Sequence, residues 1–344
     1  MSKKYLMVYN EIRNAIFTGV YKDGDKIPAE NELTEQFQVS RQTIRQAMDM
    51  LLEEKLIRRT RGTGTFVNKA AIRLNTKRIA VIAFSITESV FPAILSGIEA
   101  VLAEKGYSTM VFSTRDSVMR ERQILKQLCD DPVDGIIMSG VESTFGCANL
   151  DLIRRLRSMG TKFVFMGIPY LDRELGDIPS VTMDDYDGVY RITRELIELG
   201  HHRVGGVFND SVTIHLARLQ AVRQAIIDSG EYYDNNMFMI HGSIDGAEKD
   251  IADNAASKFF TCDLIISASG IFADLLSETL QKKPLPQLKT IVVFDEVECS
   301  FYDGVDVIVY KGADETHGVE CASKLLRLLD GFEEKSSVFS WKKK

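Results

Sequence analysis

Between Ser40 and Glu54 the chain carries Arg41, Gln42, Thr43, Arg45, Gln46 and Asp49 among apolar residues, Ile44, Ala47, Met48 and Leu51, that recur every three or four positions. At about 100° per residue the apolar set forms one stripe of a helix. Gln42, Arg45, Gln46 and Asp49 fall on the opposite side, with Arg41 at its flank. Such a face can read duplex DNA. An arginine bridges guanine O6 and N7, a glutamine pairs with adenine N6 and N7, and the Ser40 and Thr43 hydroxyls can hold phosphates at the helix start. The same residues would also serve as an ordinary solvated face, so the neighbouring segments must decide. Downstream, Arg61-Gly62-Thr63-Gly64 offers one basic residue among glycines, which allow a backbone to approach a phosphate or a minor groove closely.

The elements that would position these residues are legible nearby. Tyr5, Tyr9, Ile12 and Ile16 have helical spacing, with Gly19 as a stop. A second short helix is expected from Glu30 to Phe37, with Leu33 and Phe37 inward and Glu30 and Glu32 in its first turn, where acidic groups suit the helix dipole. Ser40 is suited to cap the third helix, from Arg41 to about Glu54. Leu56–Thr60 and Thr65–Val67 then read as two strands joined by the glycine turn. Two short helices with a tight turn make a helix-turn-helix arrangement, and the strand–turn–strand segment follows it.

The string from Val39 to Val67, V-S-R-Q-T-I-R-Q-A-M-x-x-L-x-x-x-x-L-I-x-R-x-R-G-T-G-T-F-V, closely resembles the winged-helix DNA-binding domain of the GntR family, over residues 4–68. Position by position, the resemblance implies DNA contact by Arg41, Thr43, Arg45 and the wing Arg61-Gly62-Thr63-Gly64, and puts Glu30 near the groove. Ala29 departs from it, standing where the family usually has a capping serine.

Charge agrees with a polyanion at this end. Residues 1–78 carry a net +6, whereas the remaining chain carries −13. A basic head on an acidic body meets DNA with one part and repels it with the other. The balance of 45% apolar and 26% charged residues over 344 positions excludes low-complexity disorder and small disulfide scaffolds. No apolar run reaches the roughly 18 residues of a membrane span, the longest being strand-sized near Ile79–Phe84. Met1-Ser2-Lys3-Lys4-Tyr5 has no apolar stretch behind its lysines, so no export signal is expected. Cys129, Cys147, Cys262, Cys299 and Cys321 are odd in number and never spaced C-x-x-C, which suggests buried thiols in a reducing cytoplasm.

After a linker at 69–76 the pattern changes. From 77 to 344, apolar strands alternate with amphipathic helices, the βα repetition of parallel sheets flanked by helices, and the length suffices for two lobes with a cleft. The expected fold class is therefore α/β: an N-terminal winged helix-turn-helix plus a two-lobed body. Phe91-Pro92…Gly97-Ile98-Glu99, Val133-Asp134-Gly135-Ile136-Ile137, Asp187-Gly188…Leu199-Gly200-His201, Arg218-Leu219 and Val292-Val293-Phe294-Asp295 resemble the ligand-binding domain of LacI/GalR-type repressors, which shares the periplasmic sugar-binding-protein fold. A GntR head on this body resembles the arabinose-repressor (AraR) subgroup.

That resemblance implies a bacterial transcription factor, a repressor of double-stranded operator DNA, with a carbohydrate-like effector in the cleft. Arg218 and Asp295 stand at two of the family's polar ligand positions, and Phe91 at its packing position. Three other polar positions have lost their usual groups, at Gly167, at Ser269-Gly270 and at Gly312. Glu88, Arg115 or Glu296 could supply new contacts, or the cleft could serve a non-sugar metabolite or no ligand. Two heads on a two-fold operator need a symmetric body, so a homodimer through the C-terminal lobes is expected.

An α/β enzyme is the competing reading. No G-x-S-x-G, G-x-x-x-x-G-K-[ST] or H-E-x-x-H string occurs. His201-His202 suits a helix C-terminus, Asp184-Asp185…Asp187 suits helix capping, and Ser267-Ala268-Ser269-Gly270 lacks the lysine of a phosphate loop. Trp341-Lys342-Lys343-Lys344 reads as a frayed end. No catalytic residue, metal or cofactor is expected.

Overall fold

The computed structural model describes residues 4–17, 20–68, 75–87, 90–141, 146–242, 244–295, 297 and 300–344. In the head, α1 (Lys4–Phe17) turns Val8, Ile12 and Ile16 inward. The strand β1 (Lys26–Ile27) follows, then α2 (Glu30–Phe37), which buries Leu33, and α3 (Arg41–Glu53), which buries Ile44, Ala47, Met48 and Leu51. These side chains meet Ile27, Leu56, Ile57 and Val67 in one core. The stripe read from the sequence is thus the buried face of α3. Strands β2 (Ile57–Thr60) and β3 (Gly64–Val67) pair antiparallel, with Ile57 opposite Val67, and β1 adds to β3 as a third strand. Gly62, with φ 79°, takes the left-handed conformation that turns the hairpin, one that glycine adopts at little cost.

The body alternates as expected. Its first lobe holds β4 (Arg78–Ala83), α4 (Phe91–Glu104), β5 (Ser108–Ser113), α5 (Val118–Asp130), β6 (Gly135–Met138), α6 (Leu150–Ser158), β7 (Lys162–Met166) and β8 (Ser180–Met183). The chain then crosses to a second lobe of α7 (Asp187–Glu198), β9 (Val204–Asn209), α8 (Thr213–Asp228), β10 (Phe238–His241), α9 (Ile244–Lys258), β11 (Leu264–Ser267), α10 (Gly270–Lys282), β12 (Thr290–Phe294) and β13 (Asp306–Lys311). It returns in α11 (Glu315–Asp330), which packs on α4. Strand β14 (Ser337–Phe339) joins the first sheet, in the order β14-β8-β7-β6-β4-β5, and β15 (Lys342–Lys343) joins the second, in the order β10-β9-β11-β12-β13-β15.

In the second sheet every pair is parallel except β13 with β15. Its inner strands are buried on both faces, which is why β11 and β12 read as unbroken apolar runs rather than alternating ones. Contacts group the chain into two compact units, one formed by the chain up to Arg78 with Arg122–Asp134 and Asn149–Lys162, the other by the remainder.

The C-terminal residues correct the sequence reading. Lys342 and Lys343 pair with Lys311 and Tyr310, the Lys344 N–H donates to the Val309 carbonyl at 2.9 Å, and Trp341 packs against the second-lobe core. The tail is an edge strand, because β13 otherwise presents unpaired backbone groups that a short extended segment can satisfy.

Candidate functional sites

On the head, Ser40 caps α3 as expected, its hydroxyl accepting from the Thr43 N–H at 3.2 Å and lying 2.9 Å from the Thr43 hydroxyl. Ala29 has no side-chain oxygen to offer α2. Glu32 compensates from inside the helix, its carboxylate accepting from the Ala29 N–H at 2.7 Å. Arg41, Gln42 and Arg45 are exposed on α3, and Thr43 is part-buried beside Ser40. The structure brings Arg41 and Arg45 together on one carboxylate. Their Nε atoms donate to Glu30 at 3.3 and 3.0 Å, and Arg59 of the hairpin approaches the other oxygen of Glu30 at 3.7 Å. Partial burial raises the Glu30 carboxyl, but the hydrogen bonds from Arg45 and Arg41 outweigh it and hold the group below its ordinary value. Arg59 also pairs with Asp49 at 3.4 Å. In the wing, Arg61, Gly62 and Thr63 form the exposed turn and Gly64 begins β3. This surface presents guanidinium groups paired with Glu30 to solvent, next to a glycine turn.

In the body, Arg218 of α8 is only 4% exposed. Its Nε donates to Asp185 at 2.8 Å, and its Nη1 donates to the Ala268 carbonyl and, at 3.4 Å, to Asp295. The indole of Trp341 lies over the guanidinium at 4.7 Å, with Phe294 at 5.5 Å. Asp185, Ala268 and Asp295 each follow the end of a strand, β8, β11 and β12 respectively, so the cluster sits at carboxyl edges, where open parallel sheets hold ligands. Asp295 takes φ 75°, a left-handed backbone conformation that aspartate tolerates better than most residues. Burial opposes the charge on Arg218, and Asp185 and Asp295 outweigh it, so the guanidinium holds its proton more firmly than usual. Burial pushes the Asp185 carboxyl up to about 6 against the pull of Arg218. Nearby, the half-buried His215 accepts from the Asn209 N–H at 3.2 Å; burial and then the charge of Arg218 push its imidazole down to about 3.

Of the expected effector residues, Arg218 and Asp295 therefore meet. Phe91 opens α4 and stacks on Phe84 with centroids 6.1 Å apart. Arg115 is exposed at the end of β5 with φ 48°, and no described contact joins it to Arg218. Glu88 and Glu296 lie outside the described residues. A Cβ at Gly167 would come within 3.5 Å of Ile214 on α8, so the two lobes touch here. No cluster of metal-ligating side chains occurs among the described residues.

Residues 4–67 match the family of bacterial regulatory proteins described as gntR, and residues 76–294 match the periplasmic binding proteins and sugar-binding domain of the LacI family. The second match covers more than half the chain. The chain belongs to the LacI-type periplasmic-binding-protein family, with a GntR-type head. It is 36% identical over 207 residues to an arabinose metabolism transcriptional repressor of Geobacillus stearothermophilus, covering 60% of this chain and 56% of that protein. It is 31% identical over 239 residues to one of Halalkalibacterium halodurans, covering 67% of this chain and 62% of that protein. The alignments thus span between half and two thirds of these relatives' lengths. Among solved structures, the transcription regulator GntR from Chromobacterium violaceum superposes with a TM-score of 0.66 at 22% identity, covering 78% of this chain and 97% of that one.

Within this LacI-type body, sequence reasoning missed two partners of Arg218. Asp185 was expected to cap α7, but the residue at that cap is Tyr186, with no side-chain hydrogen bond, and Asp185 is instead 4% exposed against Arg218. Asp184, its neighbour, pairs with Arg191 at 2.6 Å. A carboxylate just after an apolar strand was the available signal, since a charge that close to a core needs a partner. Trp341 was the other miss, and its distance in sequence from Arg218 left no local signal.

Proposed function

We propose that the chain is a sequence-specific DNA-binding transcriptional regulator, a repressor released from double-stranded operator DNA by a small carbohydrate-like effector held between its two lobes. The observation that carries this reading is the cluster on α3, where Arg41 and Arg45 stand exposed beside a winged hairpin and are aimed by Glu30. Arg41, Arg45 and Gln42 would read base edges. Ser40, Thr43 and the wing Arg61-Gly62-Thr63-Gly64 would hold phosphates and the minor groove. Glu30 lies at the groove mouth and orients the arginines.

In the body, Arg218 and Asp295 would take hydroxyl groups of the effector and Phe91 its apolar face, with Arg115 a further candidate contact. The names of the relatives make L-arabinose the first effector to try. The working protein is a cytoplasmic homodimer that presents two heads to a two-fold operator. Effector would favour one lobe arrangement over another, and a coupling of about 1–3 kcal/mol suffices for a 5- to 150-fold change in DNA affinity.

The test is binding of the full chain to DNA from the region upstream of its own gene, with and without L-arabinose. Tight, salt-dependent binding to one site, weakened by the sugar, is expected. Equal affinity for that site and for random duplex would overturn the regulator reading. Specific binding indifferent to a sugar panel would overturn only the effector.

A further inference from the structure

The tail that carries Trp341 crosses from one lobe to the other within a few residues. Phe339 lies in β14 on the first sheet, its carbonyl accepting from the Asp184 N–H at 2.8 Å, and Lys342 starts β15 on the second. Trp341 is held between these anchors. Its Nε1 donates to the Asp184 carbonyl at 3.1 Å, its ring meets Phe294 edge-on at 4.8 Å, and one ring face covers the Arg218 guanidinium. Two glycines make room for it. A Cβ at Gly312 would lie 2.8 Å from the indole and 2.2 Å from Asp295, and one at Gly188 would lie 2.9 Å from the indole. The ring, both carboxylate partners of Arg218 and these two glycines therefore form one fitted set, with the indole lying directly beside Arg218 and close to Asp295.

We propose that Trp341 is an effector-contacting residue, an aromatic wall beside Arg218 and Asp295 against which the C–H face of a pentose or hexose ring packs. This rests on the effector site proposed above. Polar side chains at carboxyl edges read hydroxyl pairs, and a flat π-surface beside them covers the apolar face of the same ring. Because the indole is tied to both sheets through β14 and β15, a sugar that shifts the lobes also shifts the ring relative to Arg218.

Trp341 is the single tryptophan of the chain, so its emission reports this site alone. The experiment titrates the full-length protein with L-arabinose, D-xylose and D-ribose, following tryptophan emission and calorimetric heat together. A saturable emission change at the same midpoint as the heat is expected. Trp341→Ala should weaken sugar binding by about tenfold or more, with Trp341→Phe in between, as the loss of an aromatic stacking surface implies. Heat from a sugar with unchanged emission, or a Trp341→Ala protein that binds as tightly as its parent or more tightly, would overturn this inference and leave the effector site standing. Neither heat nor emission change with any of the sugars would overturn both. The titration of the parent protein needs no variant, so a tail substitution that fails to fold does not remove the test.

Discussion

The head and the body each gather arginine around carboxylate, to opposite effect. On the head, Glu30 holds Arg41, Arg45 and Arg59, whose side chains keep between 49% and 60% of their surface exposed. In the body, Asp185 and Asp295 hold Arg218 at 4% exposure beneath Trp341. In water the interactions are weak and exchangeable, so Glu30 aims the guanidinium groups without consuming them, and a phosphate or a guanine can compete. Under burial the same pairing becomes an obligate unit, since neither ion can lose its partner without leaving an uncompensated charge. On the proposed reading, the head cluster would hand its arginines over to DNA. The body cluster would have to exchange one fully paired arrangement for another if the proposed effector shifts the lobes.

The comparison breaks most directly at Arg218. Arg218→Ala should cost about 3–5 kcal/mol of stability by stranding Asp185 and Asp295, read by urea unfolding. A loss under 1 kcal/mol would mean that Arg218 is not the keystone of that cluster. On the head, Arg45→Ala should leave stability nearly unchanged and weaken operator binding by roughly 1–3 kcal/mol, relaxing selectivity at one base pair. Operator affinity equal to the parent's would remove Arg45 from the reading surface.

Next in size is the pH dependence that burial writes into the body. His215 accepts its proton only near pH 3 in the folded chain, against about 6.5 when unfolded. Between those values the unfolded chain holds more protons, so stability from this group is complete above about 6.5 and is lost as pH falls toward 3. Asp185, raised to about 6, acts in the opposite sense as pH rises from its unfolded value through 6. The difference between the parent and His215→Gln cancels the carboxylate. That difference should shift toward the variant by up to about 1.4 kcal/mol per pH unit below 6.5; a flat difference would show the imidazole to be solvated. Smallest is the cap of α3. Ser40→Ala should cost about 1 kcal/mol in thermal unfolding, because the Thr43 N–H loses its acceptor.

The two regions also differed in how far they could be read in advance. The head's face assignment for α3, its Ser40 cap and its glycine-turned hairpin follow from spacing within thirty residues, and all appear as expected. The strand–helix alternation of the body was equally plain, because buried parallel strands and amphipathic helices differ in period. Asp185 was misjudged because capping and ion pairing call for the same residue type before a helix. The basic composition of the tail hid Trp341, since lysine suits a solvated end and an edge strand alike.

Local order in this chain comes from patterns that neighbouring residues complete among themselves: apolar stripes, caps, glycine turns and strand runs, together with the +6 head and −13 body. Those patterns suffice for two kinds of domain in one polypeptide. Contacts between distant positions come only from folding. Glu30 meets Arg59 across a helix and a hairpin, and Arg218 finds Asp185, Asp295 and Trp341 from three separate stretches of sequence. Burial sets the strength of such pairs and the proton affinity of each group in them, and burial exists only once the sheets have closed around them.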